Sequence, residues 1–105
     1  MRNYVQLIGH LGQDPELRQT STGKQTARFG LATSYRYRND AGDRVDRTTW
    51  HRVVGWNKTA ELMSTLLKKG NKVMVEGSLS YRTFEDGEGV KRTFTEVVAD
   101  RFIAL

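Results

Sequence analysis

The chain has 105 residues, enough for one domain with a modest core, and 37% hydrophobic content with a single proline fits a folded protein. No cysteine is present, which excludes disulfides and thiolate metal sites, and no apolar run approaches the ~20 residues of a membrane-spanning helix. Lysine plus arginine outnumber aspartate plus glutamate by 17 to 12, and a net charge of +5 points to an anionic partner, nucleic acid being the most frequent.

In chain order, Met1-Arg2-Asn3-Tyr4 lacks the charged-then-apolar order of a signal peptide, so a cytoplasmic protein is expected. Tyr4 to Leu11 is apolar-rich and reads as a strand ending at Gly12; Asp14-Pro15 and Thr22-Gly23-Lys24 read as breaks or turns. Thr26 to Tyr37 alternates, with Ala27, Phe29, Leu31 and Thr33 on one face and Arg28, Gly30, Ala32 and Ser34 on the other, the period of a half-buried strand. After the polar loop Asn39 to Asp43, Thr48 to Trp56 is rich in β-branched and aromatic residues and predicts the next strand.

The period then becomes helical. Ala60, Leu62, Met63, Leu66 and Leu67 predict a helix over Lys58 to Lys69, with Asn57 as N-cap, Lys68 and Lys69 at the negative end and Gly70 as the stop. Strands resume at Val73 to Tyr81, turn at Glu85 to Gly89, and finish at Thr93 to Ile103. Five strands with a helix between strands 3 and 4 predict an all-β protein, an OB-fold barrel as a single domain over residues 1–105. An open five-stranded sheet with a helix laid on it is the alternative, disfavoured because it leaves edges unpaired.

No catalytic constellation is visible. His10 and His51 have no zinc spacing, and neither a phosphate-binding loop nor a nucleophile elbow occurs. The acidic residues Asp40, Asp43, Asp46, Glu85, Asp86 and Glu88 fall in or beside turns, where they read as solvated turn acids; a metal-dependent nuclease is the reading that would use them. No cofactor and no metal are expected.

The third strand is more informative. Trp50, Arg52, Val54 and Trp56 are spaced by two and share a face. Aromatic rings interleaved with a guanidinium suit base stacking, which tolerates any sequence because every base has a π face. The competing reading buries both tryptophans in the core, where aromatics are most often found. Arg52 on the same face argues against a sealed core, since an unpaired charge is costly to bury. Tyr37, between Arg36 and Arg38, and Phe84, after Arg82, repeat the association of aromatic and basic residues.

An ordered set of short stretches resembles the DNA-binding domain of bacterial single-stranded DNA-binding proteins. They are Leu7-Ile8-Gly9, Leu11-Gly12-Gln13-Asp14-Pro15-Glu16-Leu17-Arg18, Leu31-Ala32-Thr33-Ser34, Thr49-Trp50-His51-Arg52-Val53-Val54, Lys58-Thr59-Ala60-Glu61, Lys68-Lys69-Gly70, Val75-Glu76-Gly77-Ser78-Leu79 and Thr95-Glu96-Val97-Val98-Ala99. The resemblance implies an OB-fold, a homotetramer (a dimer being the alternative) and single-stranded DNA as partner. It further implies a place in replication, recombination and repair in the bacterial cytoplasm, associated with the nucleoid.

By correspondence it assigns base stacking to Tyr37, Trp50, Trp56 and Phe84, phosphate contact to Arg18, Arg52, Lys58, Lys69 and Arg82, and a subunit contact to His51. Members commonly carry tryptophan at the first and last stacking positions and phenylalanine at the third; this chain has tyrosine, phenylalanine and tryptophan there. Ser80 and Thr83 stand where the family is often basic. Members typically continue into a flexible linker and an acidic tip that recruits other proteins. This chain stops at Leu105, as a trimmed or naturally tail-less form, and tail-mediated partners are not expected of it.

Two other binding roles stay open at this level: a dimeric, tail-less primosomal accessory, and an RNA-binding protein. Only the resemblance separates DNA from RNA.

Overall fold

The computed structural model describes residues 2–105, so the expected domain lies within it apart from Met1, which falls outside the described residues. Six strands and one helix follow in the order β1 (Val5–Leu11), β2 (Glu16–Gln19), β3 (Gln25–Arg38), β4 (Arg44–Trp56), α1 (Lys58–Leu66), β5 (Lys72–Glu85) and β6 (Lys91–Ala104). The sheet runs β1-β5-β6-β4-β3-β2, and β1 also pairs with β3 through His10↔Ala32 and Leu11↔Leu31. That contact joins the two ends of a five-stranded sheet. A short parallel seam, Val53↔Val97 and Val54↔Val98, joins β4 to β6. The result is a closed barrel, the OB-fold arrangement, and the open-sheet alternative is excluded.

Closure needs close backbone approach where the strands cross. A Cβ at Gly77 would stand 1.9 Å from the Val98 carbonyl oxygen, and the β5–β6 register shifts between Glu76 and Gly77. Only glycine fits that kink.

The core is the inward face of every long strand: Leu11, Ala27, Phe29, Leu31, Val53, Val73, Val75, Val97 and Ala99 are all buried together. Helix α1 contributes Ala60 and Met63 to it, and Leu67 follows from the first residue beyond the helix. The period-two alternation expected from Ala27 to Leu31 is the observed burial pattern.

Several local expectations shift. Helix α1 ends at Leu66, because Leu67 turns extended (φ −112°, ψ 144°) to reach the core. Lys68 and Lys69 therefore lie beyond the last turn. Their backbone N–H groups donate to the side chains of Asn71 and Asp14, and Gly70 (φ 87°) shapes this turn rather than ending the helix. Asn57 occupies the N-cap position with φ 51°, but its side chain makes no capping hydrogen bond. Strand β2 is additional, a short exposed segment paired to β3 from Glu16↔Arg28 to Gln19↔Gln25. Strand β4 begins at Arg44 instead of Thr48, so β3 and β4 stay paired out to Arg38↔Arg44 as a long exposed arm.

Candidate nucleic-acid interface

Pairing register decides which side chains share a surface. Across β3 and β4, Ala32 faces Trp50, Gly30 faces Arg52, Arg28 faces Val54 and Thr26 faces Trp56. Val54 stands beside Val98, and on the other side of β6, Ser78 faces Val98, Ser80 faces Glu96, Arg82 faces Phe94 and Phe84 faces Arg92. Inward residues such as Leu31, Val53 and Val97 hold the alternate positions. Trp50, Arg52 and Trp56 of β4 and Arg82 and Phe84 of β5 therefore stand on one outer face of the barrel, on either side of β6. Arg18 of β2 joins them through its pairing with Thr26.

The core reading of the tryptophans does not hold: Trp50 is 62% exposed, Phe84 48% and Trp56 37%. Trp50 rests on glycine. A Cβ at Gly12 would meet its ring at 2.5 Å, and one at Gly30 would lie 3.5 Å away. The outer edge of its six-membered ring thus abuts backbone at Gly12 and Gly30. Gly30 is itself held by its N–H donating to the Gln13 side-chain oxygen at 3.2 Å. A groove of about 450 Å³ opens beside the ring, lined by Gly30, Trp50, Arg52, Thr93, Thr95 and Glu96 among others. A second recess of about 310 Å³, which includes Gln13, Arg28 and Phe94, shares Gly30, Arg52 and Glu96 with it. The two recesses thus adjoin along Gly30, Arg52 and Glu96.

The arginines are ordered from below. The Arg52 guanidinium lies 4.3 Å from the centroid of the Phe94 ring, and that of Arg82 lies 5.2 Å from it. Glu96 is 5% exposed, with Arg28 and Arg82 each 3.5 Å from one of its oxygens. Arg18 is engaged with Glu16, its Nε donating at 2.6 Å. Phe94, Glu96 and Arg28 were not singled out by the sequence. The available signal was that Phe94 and Glu96 alternate against Thr95 and Val97, which puts an aromatic ring on the outward face of the last strand.

Not every expected residue joins this face. Lys58 begins α1 and Lys69 follows it; both are exposed, and neither lines the two recesses. Tyr37 is odd-numbered on an unbroken register, so it lies on the reverse side of the β3–β4 arm, the side of Leu31 and Thr33. There it stacks on Tyr35, ring centroids 5.8 Å apart and planes inclined by 22°. Arg36, Arg38 and Arg44 occupy the side that continues the Trp50 face, with Arg36 paired to Asp46 at 3.3 Å.

His51 points away from Trp50. Its Nε2 is 2.8 Å from the Thr33 hydroxyl, and partial burial lowers its pKa from the ordinary 6.5. The turn acids do not converge. Asp40, Asp43 and Asp46 belong to the β3–β4 arm, and Glu85, Asp86 and Glu88 to the β5–β6 hairpin. Asp86 serves its own turn: Arg92 and the N–H groups of Val90 and Glu88 donate to it and hold its carboxyl below the usual range. Among the described residues no three His, Asp or Glu side chains are grouped to hold a metal ion. Among them, too, no helix is long and apolar enough to cross a membrane.

Residues 2–105 match the single-strand binding protein family. The chain is similar to single-stranded DNA-binding protein 1 of Chlorobaculum tepidum, 46% identical over 97 residues, 91% of this chain and 60% of that one. It is also similar to single-stranded DNA-binding protein 1 of Xylella fastidiosa, 42% identical over 98 residues, 92% of this chain and 72% of that one. A similar protein from Neisseria meningitidis serogroup B is 40% identical over 103 residues, 98% of this chain and 59% of that one. This chain thus spans well under the full length of these relatives. Among solved structures it superposes on Plasmodium falciparum SSB in complex with ssDNA with a TM-score of 0.92 and 29% identity, covering 100% of this chain and 96% of that one.

Proposed function

The chain belongs to the single-strand binding protein family, and from that premise we propose that it binds single-stranded DNA without sequence preference, protecting and organising strands during replication, recombination and repair. The observation that carries this reading is the shared outer face: exposed Trp50, Trp56 and Phe84 interleaved with Arg52 and Arg82, with the edge of the Trp50 ring set against Gly12 and Gly30 and a groove beside it. Such rings accept any base. Basic residues Arg18, Arg52, Lys58, Lys69 and Arg82 attract the backbone and release counterions, giving a salt slope of about −0.7 per phosphate contacted. Duplex DNA offers no free base faces, so strand selectivity follows without base-edge reading. Tyr37 serves as a further stacking ring on the reverse of the arm.

The reading also includes a homotetramer with His51 at a subunit contact, and residence in the bacterial cytoplasm with the nucleoid. The parallel with the Plasmodium SSB–ssDNA complex supports the binding mode. A tryptophan-fluorescence titration with long oligo-dT, repeated with duplex at two salt concentrations, tests it. Strong quenching by the single strand and little by duplex is the expected result. A silent titration at moderate salt means that the tryptophans do not meet bases, and the proposal fails. Native mass spectrometry tests the assembly, with a tetramer expected.

A further inference from the structure

We propose that Glu96 limits the strength of strand binding by engaging Arg28 and Arg82, so that a DNA phosphate must draw these guanidiniums away from a protein carboxylate. The inference rests on the single-strand reading above and adds a residue that works against it.

A carboxylate in the middle of a phosphate-binding face needs a reason. Glu96 sits on β6 between the outward Phe94 and Val98, only 5% exposed, and both recesses of the groove reach it. Arg28 Nε approaches Oε2 at 3.5 Å, and Arg82 Nη2 approaches Oε1 at the same distance. These are ion pairs without close hydrogen bonds, which for charged partners are about 2.7–2.9 Å long. Oε2 is buried and has no hydrogen-bond partner. Arg28 turns its Nη1 to the Thr26 hydroxyl instead, at 3.2 Å. The buried charge of Glu96 is therefore balanced by two guanidiniums that are only loosely tied to it. Their side chains keep 37% and 58% exposure, open to a ligand in the groove.

A phosphate presents a better partner, because a guanidinium fork can engage it in two parallel hydrogen bonds. Each arginine that moves outward leaves Glu96 less compensated in a low-dielectric site, and that penalty subtracts from the binding free energy. The carboxylate also repels the incoming backbone directly. Both effects have the same sign, so neutralising Glu96 strengthens binding. A residue that merely braced the arginines for DNA would show the opposite sign.

The test is Glu96→Gln, which keeps shape and removes charge, with the fold checked by thermal melting. Wild type and variant are titrated with long oligo-dT across a series of salt concentrations. The variant should bind about threefold more tightly or better at low salt, an effect of the size expected for a charge on a binding face. Its salt slope should stay within about 0.7 of the wild-type value, because the same guanidiniums reach phosphates in both proteins and only the cost of leaving Glu96 differs. Equal or weaker binding, or a slope that differs by a whole phosphate contact or more, overturns the proposal. Failure of the wild type itself to bind oligo-dT removes the functional reading instead, so the two failures are distinguishable. A second measurement needs no variant: in wild-type protein with 15N-labelled arginine, the Nε–H resonances of Arg28 and Arg82 should shift on saturation with oligo-dT. Resonances that stay in place overturn the exchange.

Discussion

Replacing Trp50 by alanine isolates the stacking contribution with little disturbance of the fold. The side chain is 62% exposed and stands outside the buried cluster, on the face opposite Val53. The edge of its six-membered ring abuts Gly12 and Gly30, and the exposed ring can take one base. The loss on Trp50→Ala is then one stacked base, ~1–3 kcal/mol, which corresponds to an affinity roughly 5- to 150-fold weaker. Thermal stability should change little, because no core contact is removed. The assay is competition binding with labelled oligo-dT at fixed salt, since the variant loses part of its own fluorescence, alongside a thermal melt. An affinity within about twofold of wild type in a folded variant sinks the stacking role, because even the lower limit of a stacked base exceeds it.

Gly12→Ala should weaken strand binding and alter Trp50 fluorescence while the barrel stays folded, because the new Cβ would fall 2.5 Å from the ring and lift it; unchanged emission and affinity would show that the glycine support is unimportant. For His51 the folded-state pKa lies below 6.5 because of burial, so the unfolded chain binds the proton more readily. Its contribution to stability is complete above pH 6.5 and is lost as pH falls through the lowered value; His51→Gln should flatten the decline in melting temperature over that window, and an unaltered pH profile would contradict the assignment. Tyr37→Ala should weaken binding of long oligo-dT but leave short oligomers that cover only the barrel face unaffected, as the ring is on the reverse of the arm. Equal losses at both lengths would place Tyr37 on the same strand path as Trp50.

Much of the barrel is legible from alternation alone. Ala27, Phe29 and Leu31 announce the inward face of β3, and the change of period at Lys58 announces α1, because burial leaves a periodic trace whenever one side of an element meets the core. Features without that asymmetry leave no trace. Strand β2 is exposed at all four residues, so nothing in Glu16-Leu17-Arg18-Gln19 marks it, and only pairing with β3 makes it a strand. The outer end of β4 is similar: Arg44, Asp46 and Arg47 read as loop because their order is imposed by β3 opposite them. The early end of α1 has another cause, the demand of the core for Leu67. The site divides along the same line. Trp50, Arg52 and Trp56 lie on one strand and their common face is a local fact. That Phe94 lies under Arg52 and Arg82 and Glu96 between Arg28 and Arg82 depends on which strands meet across the seam, which is a non-local fact.

Tyr37 shows where two kinds of inference part. Family correspondence groups it with Trp50 by role, whereas parity along an unbroken strand groups it with Phe29 and Leu31 by face, and the register places it on the latter side. Both hold together only if a strand that stacks on Trp50 and on Tyr37 passes around the β3–β4 arm instead of lying flat along the barrel. The charges on the arm suit such a path. Arg38 and Arg44 stand directly opposite each other on the Trp50 side, a like-charged pair that is unfavourable until an anion lies between them. A recess of about 280 Å³ lined by Arg36, Tyr37, Arg38 and Arg44 reaches the tyrosine from there. On the proposed path, this recess is where a phosphate would rest as the backbone turns. A flat binding face needs no such projection; the proposed strand would curve around an arm that carries Arg36, Arg38 and Arg44 on one side and the stacked tyrosines with Arg47 on the other.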